Sequence, residues 1–459
     1  MRFGAASVIL TNRGHVMSDD WLGMTAADLG RAIGARVIDP LELTKHQLAA
    51  IKADPLQERI YARLSEERAL AEAAAASARA QSGHRLSVLD GVPISWKDLF
   101  DTAGLETEAG SAFLAGRVPT RDALVLQNAT AAGLVCLGKT HMSELAFSGL
   151  GYNPITQSPP SVNDPDSVAG GSSSGAATSV AFGLATAGIG SDTGGSVRIP
   201  AAWNDLIGLK TTSGRLSLQG VVPLCAKFDT VGPLCRSVED AALLMGALEG
   251  TPAPDLRGAD LRGVRLLVLQ TIALDDVREQ PMGGFQNAIL RLAGAGAIIE
   301  YGNVDCVTDA LALTGTLYTT EAYATWKDEI EAAPEKMFAE ILQRFRIGAT
   351  VSGADYVRAW QQLDLIRTEW AQKTAQYDAV IMPTSPILPP NMNRLATDHD
   401  YYVAENLLSL RNTRIGNLMG SCALTLPTGI ASSGISFVCG PHDEHRLLRI
   451  GAAAEAAMS

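Results

Sequence analysis

Apolar residues recur at helical spacing through the first eighty positions, then give way to short unbroken apolar runs separated by turn residues. Thr25 precedes Ala26, Ala27 and Asp28, an N-cap pattern with an acidic side chain near the positive end of the helix dipole. Asp39-Pro40 opens a second amphipathic helix whose apolar face carries Leu43, Leu48 and Ile51. Glu66 to Ser82 is alanine-rich and meets Gly83, a helix and its stop. From Asp90 to Arg236 glycine and serine become frequent. Leu134–Gly138 and Leu266–Leu269 read as buried strands, and Gly175 to Gly190 has the small-residue makeup of a tightly packed buried helix. Residues 308–376 are mostly helical, and Ala379–Met382 is a strand returning to the core, closed by Pro383 and Pro386.

Thr251–Asp255 is the clearest linker-like stretch, and a short duplication follows it at Asp255–Gly258 and Asp260–Gly263. Strands and helices alternate on both sides of that linker. The pattern predicts an α/β protein, a single large α/β/α sandwich with a mixed central sheet covered by helices, rather than two domains. An untidy extension is expected over residues 1–20, a candidate for disorder, followed by one domain over 21–459. Met17 reads as a candidate alternative start.

Composition narrows the function classes. Of 459 residues, 47% are hydrophobic and 19% charged, with a formal net charge of -12. That gives ample core and a surface that repels phosphate backbones and anionic membranes, so neither nucleic acid nor a membrane is an expected partner. The six cysteines, Cys136, Cys225, Cys235, Cys306, Cys422 and Cys439, contain no C-x-x-C pair and read as reduced thiols of a cytoplasmic protein. No cofactor and no metal is expected.

The chemistry concentrates in two glycine-serine segments, Ala169–Gly175 and Gly190–Pro200. An isolated glycine-serine stretch is ordinarily a flexible loop. Here it leads into small apolar residues, and glycine-exposed amides before a helix form an anion-binding nest. A phosphate loop is excluded because no lysine lies between Lys139 and Lys210. Gly171–Gly175 formally matches the G-x-S-x-G elbow of α/β-hydrolases, with Ser173 as nucleophile of an esterase. That fold needs a downstream histidine; His442 and His445 sit in a charged run that reads as solvated surface, and His399 has no motif around it. His141 reads as a satisfied core or loop residue. Thr193–Ser196 is different: a serine after two glycines offers several N–H groups to one oxygen, the geometry that stabilises a tetrahedral oxyanion. Ser196 still needs a base, and no histidine is close in sequence.

Gly170–Ser173, Asp192–Pro200 and Gly91–Asp98 together resemble the three motif blocks of the amidase signature family, and Gly138–Glu144, Asp378–Thr384 and Asn417–Gly420 extend the likeness over most of the chain. The resemblance implies a Ser–cisSer–Lys triad in which Ser196 is the nucleophile, Ser172 the proton relay and Lys97 the base, which must be desolvated to be neutral. It implies the N–H groups of Thr193, Gly194, Gly195 and Ser196 as the oxyanion hole, Ala146 beside the acyl group, and Asp192 and Arg198 as braces of the glycine turn. Asp98, next to Lys97, would oppose the required shift if its carboxylate came close. The implied activity is hydrolysis of a small amide by a free-standing enzyme, with a lean towards a homodimer. The alternative within the family is the glutaminase subunit of a tRNA-dependent amidotransferase. Two departures stand out. Ser174 replaces a usual glycine, and Ser433–Gly440 is a shortened form of a block expected to help shape the pocket.

Overall fold

The computed structural model describes residues 18–459. Residues 1–17 of the expected extension, Met17 included, lie outside the described residues, and Ser18–Gly23 form a short 3-10 helix. The early helices form where their caps predict. Thr25 accepts from the Asp28 N–H, Asp39 accepts from the Leu41 and Glu42 N–H groups with Pro40 in the first turn, and Glu66–Ser82 stops at Gly83 with a φ of 79°.

Eleven strands build one mixed sheet: β1 (Tyr61–Leu64), β2 (Pro93–Lys97), β3 (Val135–Thr140), β4 (Ala187–Ser191), β5 (Ile207–Lys210), β6 (Val231–Cys235), β7 (Arg265–Leu269), β8 (Ile298–Gly302), β9 (Ala379–Pro383), β10 (Cys422–Pro427) and β11 (Gly434–Cys439). Their order is β1-β3-β2-β4-β6-β5-β10-β11-β9-β7-β8. β3, β2 and β4 are mutually parallel, as are β9, β7 and β8, and the strands between the two groups run antiparallel to their neighbours. Strands from both sides of Thr251–Asp255 share this sheet, as a single unit requires. All five residues of β2, β4, β6 and β9 are buried, which is why they read as continuous apolar or small-residue runs rather than as alternating ones.

The segment Gly175–Gly190 departs from its expected single helix. The helix is Ser174–Ala181, after which the chain turns and enters β4. Small residues serve a different end here: they let this helix lie directly on the strand. A Cβ on Gly190 would sit 2.6 Å from Ser173 Oγ, and one on Gly188 would sit 2.5 Å from the Ala176 carbonyl oxygen. All six cysteines are buried and unpaired. No helix among the described residues is long and apolar enough to cross a membrane.

Candidate active site

β2 and β4, parallel neighbours, reach the same edge of the sheet, where β2 ends on Lys97 and β4 on Ser191. β6 runs the other way with Val231 opposite Ser191, so Asp229 and Thr230 enter at that edge too. The chain leaving β4 turns through Asp192–Ser196 into the helix Arg198–Trp203. Carboxyl ends of parallel strands are where α/β folds place ligands.

Lys97 is fully buried, with Nζ 2.7 Å from Ser172 Oγ and 2.8 Å from Ser191 Oγ. Burial lowers its pKa to about 7, against the opposing charges of Asp229 and Asp192. Asp98 does not oppose the shift. Its carboxylate faces Lys139 at 3.4 Å and Arg63 at 3.6 Å, away from Lys97.

The Gly171–Ser172 peptide bond is cis, and Ser172 is fully buried. Ser196 is 4% exposed and borders a narrow cleft of about 30 Å³ together with Ala146, Thr193 and Gly194. Among the described residues its hydroxyl has no hydrogen bond, to Ser172 or to any other group; the backbone bond between the two segments is the Ser173 N–H donating to the Ser196 carbonyl at 3.2 Å. Apo catalytic contacts of this kind are often long and tighten only around substrate.

One expected oxyanion donor is already committed. The Gly195 N–H donates to Asp192 Oδ1 at 2.8 Å, which removes it from the hole. The N–H groups of Thr193, Gly194 and Ser196 have no acceptor among the described residues and remain the candidate donors. Asp192 is the hub of the turn: its carboxylate also receives the Val197 N–H at 3.2 Å, Arg198 Nε at 3.0 Å, Arg198 Nη2 at 2.9 Å and Asn417 Nδ2 at 3.0 Å. Burial alone would raise the Asp192 pKa, but the charge and hydrogen bonds of Arg198, with Lys210 and Asn417 behind them, hold it well below the usual carboxylate range. Arg198 in turn donates to the Thr413 carbonyl at 2.8 Å, and Thr413 Oγ1 donates to the Gly194 carbonyl at 2.7 Å. The helix His399–Leu418 is thereby fastened to the turn.

Ser173 is placed as a packing residue. It is fully buried and donates to the Ser191 carbonyl at 3.2 Å. The downstream histidines supply it no base. His399 bonds Glu340 at 2.7 Å, and His442 and His445 are exposed, as their charged run predicts. His141 is buried and its pKa falls to about 4 through desolvation, consistent with a neutral core residue.

The family model for amidases matches residues 42–448. The chain belongs to the amidase family. Among similar amidase-family proteins, the 2-amino-5-chloromuconic acid deaminase of Comamonas testosteroni is 35% identical over 85% of this chain and 86% of its own length. A glutamyl-tRNA(Gln) amidotransferase subunit of Chloroflexus aurantiacus is 32% identical over 94% of this chain and 95% of its own. A solved amidase structure, 28% identical, superposes with a TM-score of 0.85 over 95% of this chain and all of the other. The peptide amidase of Stenotrophomonas maltophilia, 27% identical, gives 0.77 over 95% and 97%.

Within this amidase fold, sequence reasoning missed Ser191 and Asp229. Asp229 accepts from Thr193 Oγ1 at 2.5 Å and from the Leu224 and Cys225 N–H groups at 3.0 and 3.1 Å. It was hidden because only the β4–β6 pairing brings it to the site. Ser433–Gly440, expected to help shape the pocket, does not line the cleft at Ser196. Gly434–Cys439 is β11, an interior strand, and its end borders a separate hollow of about 540 Å³ with Arg446 and Tyr377.

Proposed function

We propose that this protein hydrolyses the C–N bond of a small amide through an acyl-enzyme on Ser196. The observation that carries the reading is a buried lysine with a pKa near 7, 2.7 Å from a serine hydroxyl on the segment adjoining Ser196. Neutral Lys97 takes the Ser172 proton, and Ser172 takes the Ser196 proton as Ser196 Oγ bonds to the substrate carbonyl carbon. The oxyanion that forms is received by the N–H groups of Thr193, Gly194 and Ser196. On collapse, the C–N bond breaks, Ser172 protonates the leaving nitrogen, and protonated Lys97 restores the Ser172 proton. Water then repeats the sequence on the ester, releasing the acid. Asp192 acts through the turn: by occupying the Gly195 N–H and clamping Arg198 it sets the direction of the neighbouring amides.

Ammonia release from a panel of aliphatic, aromatic and urea-like amides tests this, with Ser196→Ala and Ser173→Ala in parallel. The expected result is loss of activity in S196A by at least about 1,000-fold and retention in S173A. Equal activity of S196A and wild type on every amide cleaved would refute it. The reading as the glutaminase subunit of an amidotransferase draws support from the 32% identity to such a protein over 94% of this chain. It predicts weak glutaminase activity of the isolated chain and a rise on adding partner subunits.

A further inference from the structure

The narrow cleft above Ser196 adjoins a wider hollow of about 470 Å³, and Phe147, Tyr318, Arg344 and Arg414 border both. The two arginines are unusual in a chain with a net charge of -12. Elsewhere most arginines have carboxylate partners, whereas among the described residues neither of these forms an ion pair. Arg344 donates only to the Phe147 carbonyl, at 3.0 Å, with its guanidinium 4.7 Å from the Phe147 ring. Arg414 has no hydrogen-bond acceptor among the described residues. The lone carboxylate bordering the hollow among the described residues, Glu340, is engaged with His399 at 2.7 Å.

Burial lowers the pKa of both arginines, that of Arg344 to about 9 with the charge of Arg414 adding to the effect. Both side chains are partly buried, and two like charges lining one cleft are costly to hold together without a counter-charge. Tyr318 adds a third donor. It is 6% exposed, its ring is stacked on Phe228 at 4.4 Å, and its buried hydroxyl has no hydrogen-bond partner among the described residues. Guanidinium groups donate and never accept, and the planar fork suits a carboxylate.

We infer that the substrate is an anionic amide, a compound whose carboxylate is held by Arg344, Arg414 and the Tyr318 hydroxyl while a short carbon spacer presents its amide carbonyl to Ser196. This rests on the assignment of Ser196 above. Arg344 comes from the helix Ala339–Ile347, Tyr318 from Thr314–Ala332 and Arg414 from His399–Leu418, so three separate helices converge on one charge.

The test measures ammonia release from malonamate, succinamate, glutaramate and adipamate against neutral amides of matching length. Calorimetry of the corresponding dicarboxylates binding to wild type runs alongside. Wild type is expected to favour at least one charged amide over its neutral counterpart by about 100-fold or more in kcat/KM. Arg344→Met and Arg414→Met should each cut that charged-to-neutral ratio at least about tenfold, chiefly through KM, with Arg344→Lys recovering part of it. A wild type that shows no charge preference, a ratio untouched by both methionine variants, or neither cleavage of the series nor binding of any dicarboxylate overturns the inference. S196A separates the two readings. If S196A is inactive while charge preference is absent, only the anionic subsite falls; if S196A stays active, the nucleophile assignment falls.

Discussion

Replacing Lys97 by methionine should change stability by an amount that depends steeply on pH. Lys97 is fully buried and its pKa moves from 10.5 to about 7. At about 1.4 kcal/mol for each tenfold change in proton affinity, the fold disfavours the ammonium by about 5 kcal/mol. Between about pH 7 and 10.5 the unfolded chain holds this proton and the folded chain does not, so the group's contribution to stability rises with pH across that window. Below pH 7 the full cost is present; above 10.5 it is gone. Methionine carries no such cost at any pH, but it leaves Ser172 and Ser191 without the amine, a loss of about 1–3 kcal/mol for each unsatisfied group. For the two groups together that is about 2–6 kcal/mol at every pH, so K97M is expected to lie near wild type in stability at pH 6 and clearly below it at pH 10, with a swing of about 4 kcal/mol between them. Urea unfolding of both proteins at matched pH values, reversibility checked at each, cancels every other titration. In wild type, kcat/KM should also climb through an apparent pKa near 7, because the proposed mechanism needs the neutral amine. A wild-type-to-K97M difference that stays flat from pH 6 to 10 would refute the account of a neutral lysine base.

Asp192→Ala strands Arg198, 1% exposed, without its counter-ion, and should cost about 3–5 kcal/mol in urea unfolding. Its activity should fall further than stability alone explains, since the Gly195 N–H loses its acceptor and the turn its register. Gly195→Ala places a Cβ 2.1 Å from Thr413 Oγ1 at a φ of 138°. Thermal unfolding should show clear destabilisation, about 2 kcal/mol or more, and removing the hydroxyl with Thr413→Ala in the same chain should recover only part of it, because the backbone angle remains.

The fold was legible where local chemistry decides local structure. Thr25, Asp39 and Gly83 act within a few residues of themselves, so the helices they bound appear where the caps predict. Strands buried on both faces are readable as short apolar runs, as at β7 and β9. Gly175–Gly190 failed for a related reason. Small residues are compatible with a packed helix and with a strand beneath one, and composition alone does not distinguish the two partners of a single close contact.

The site divides along the same line. Lys97, Ser172 and Ser196 were visible because glycine-rich turns and their serines form contiguous words, and the structure brings Lys97 to Ser172. The Gly195 N–H was assigned to the wrong partner because sequence shows a donor but not which acceptor reaches it first, and Asp192 does. Asp229, Arg344 and Arg414 carried no word of their own. Each lies in an ordinary stretch of chain and acquires meaning only when β6 pairs with β4 or three helices meet over one cleft. The groups proposed to break the bond therefore lie in short, readable segments, a strand end and two glycine-rich turns, whereas the charges proposed to select the substrate are spread over helices that also pack the core. Substitution at Arg344 or Arg414 could redirect substrate choice while every readable motif stayed intact, so motif likeness to a deaminase or an amidotransferase identifies the chemistry far better than it identifies the amide.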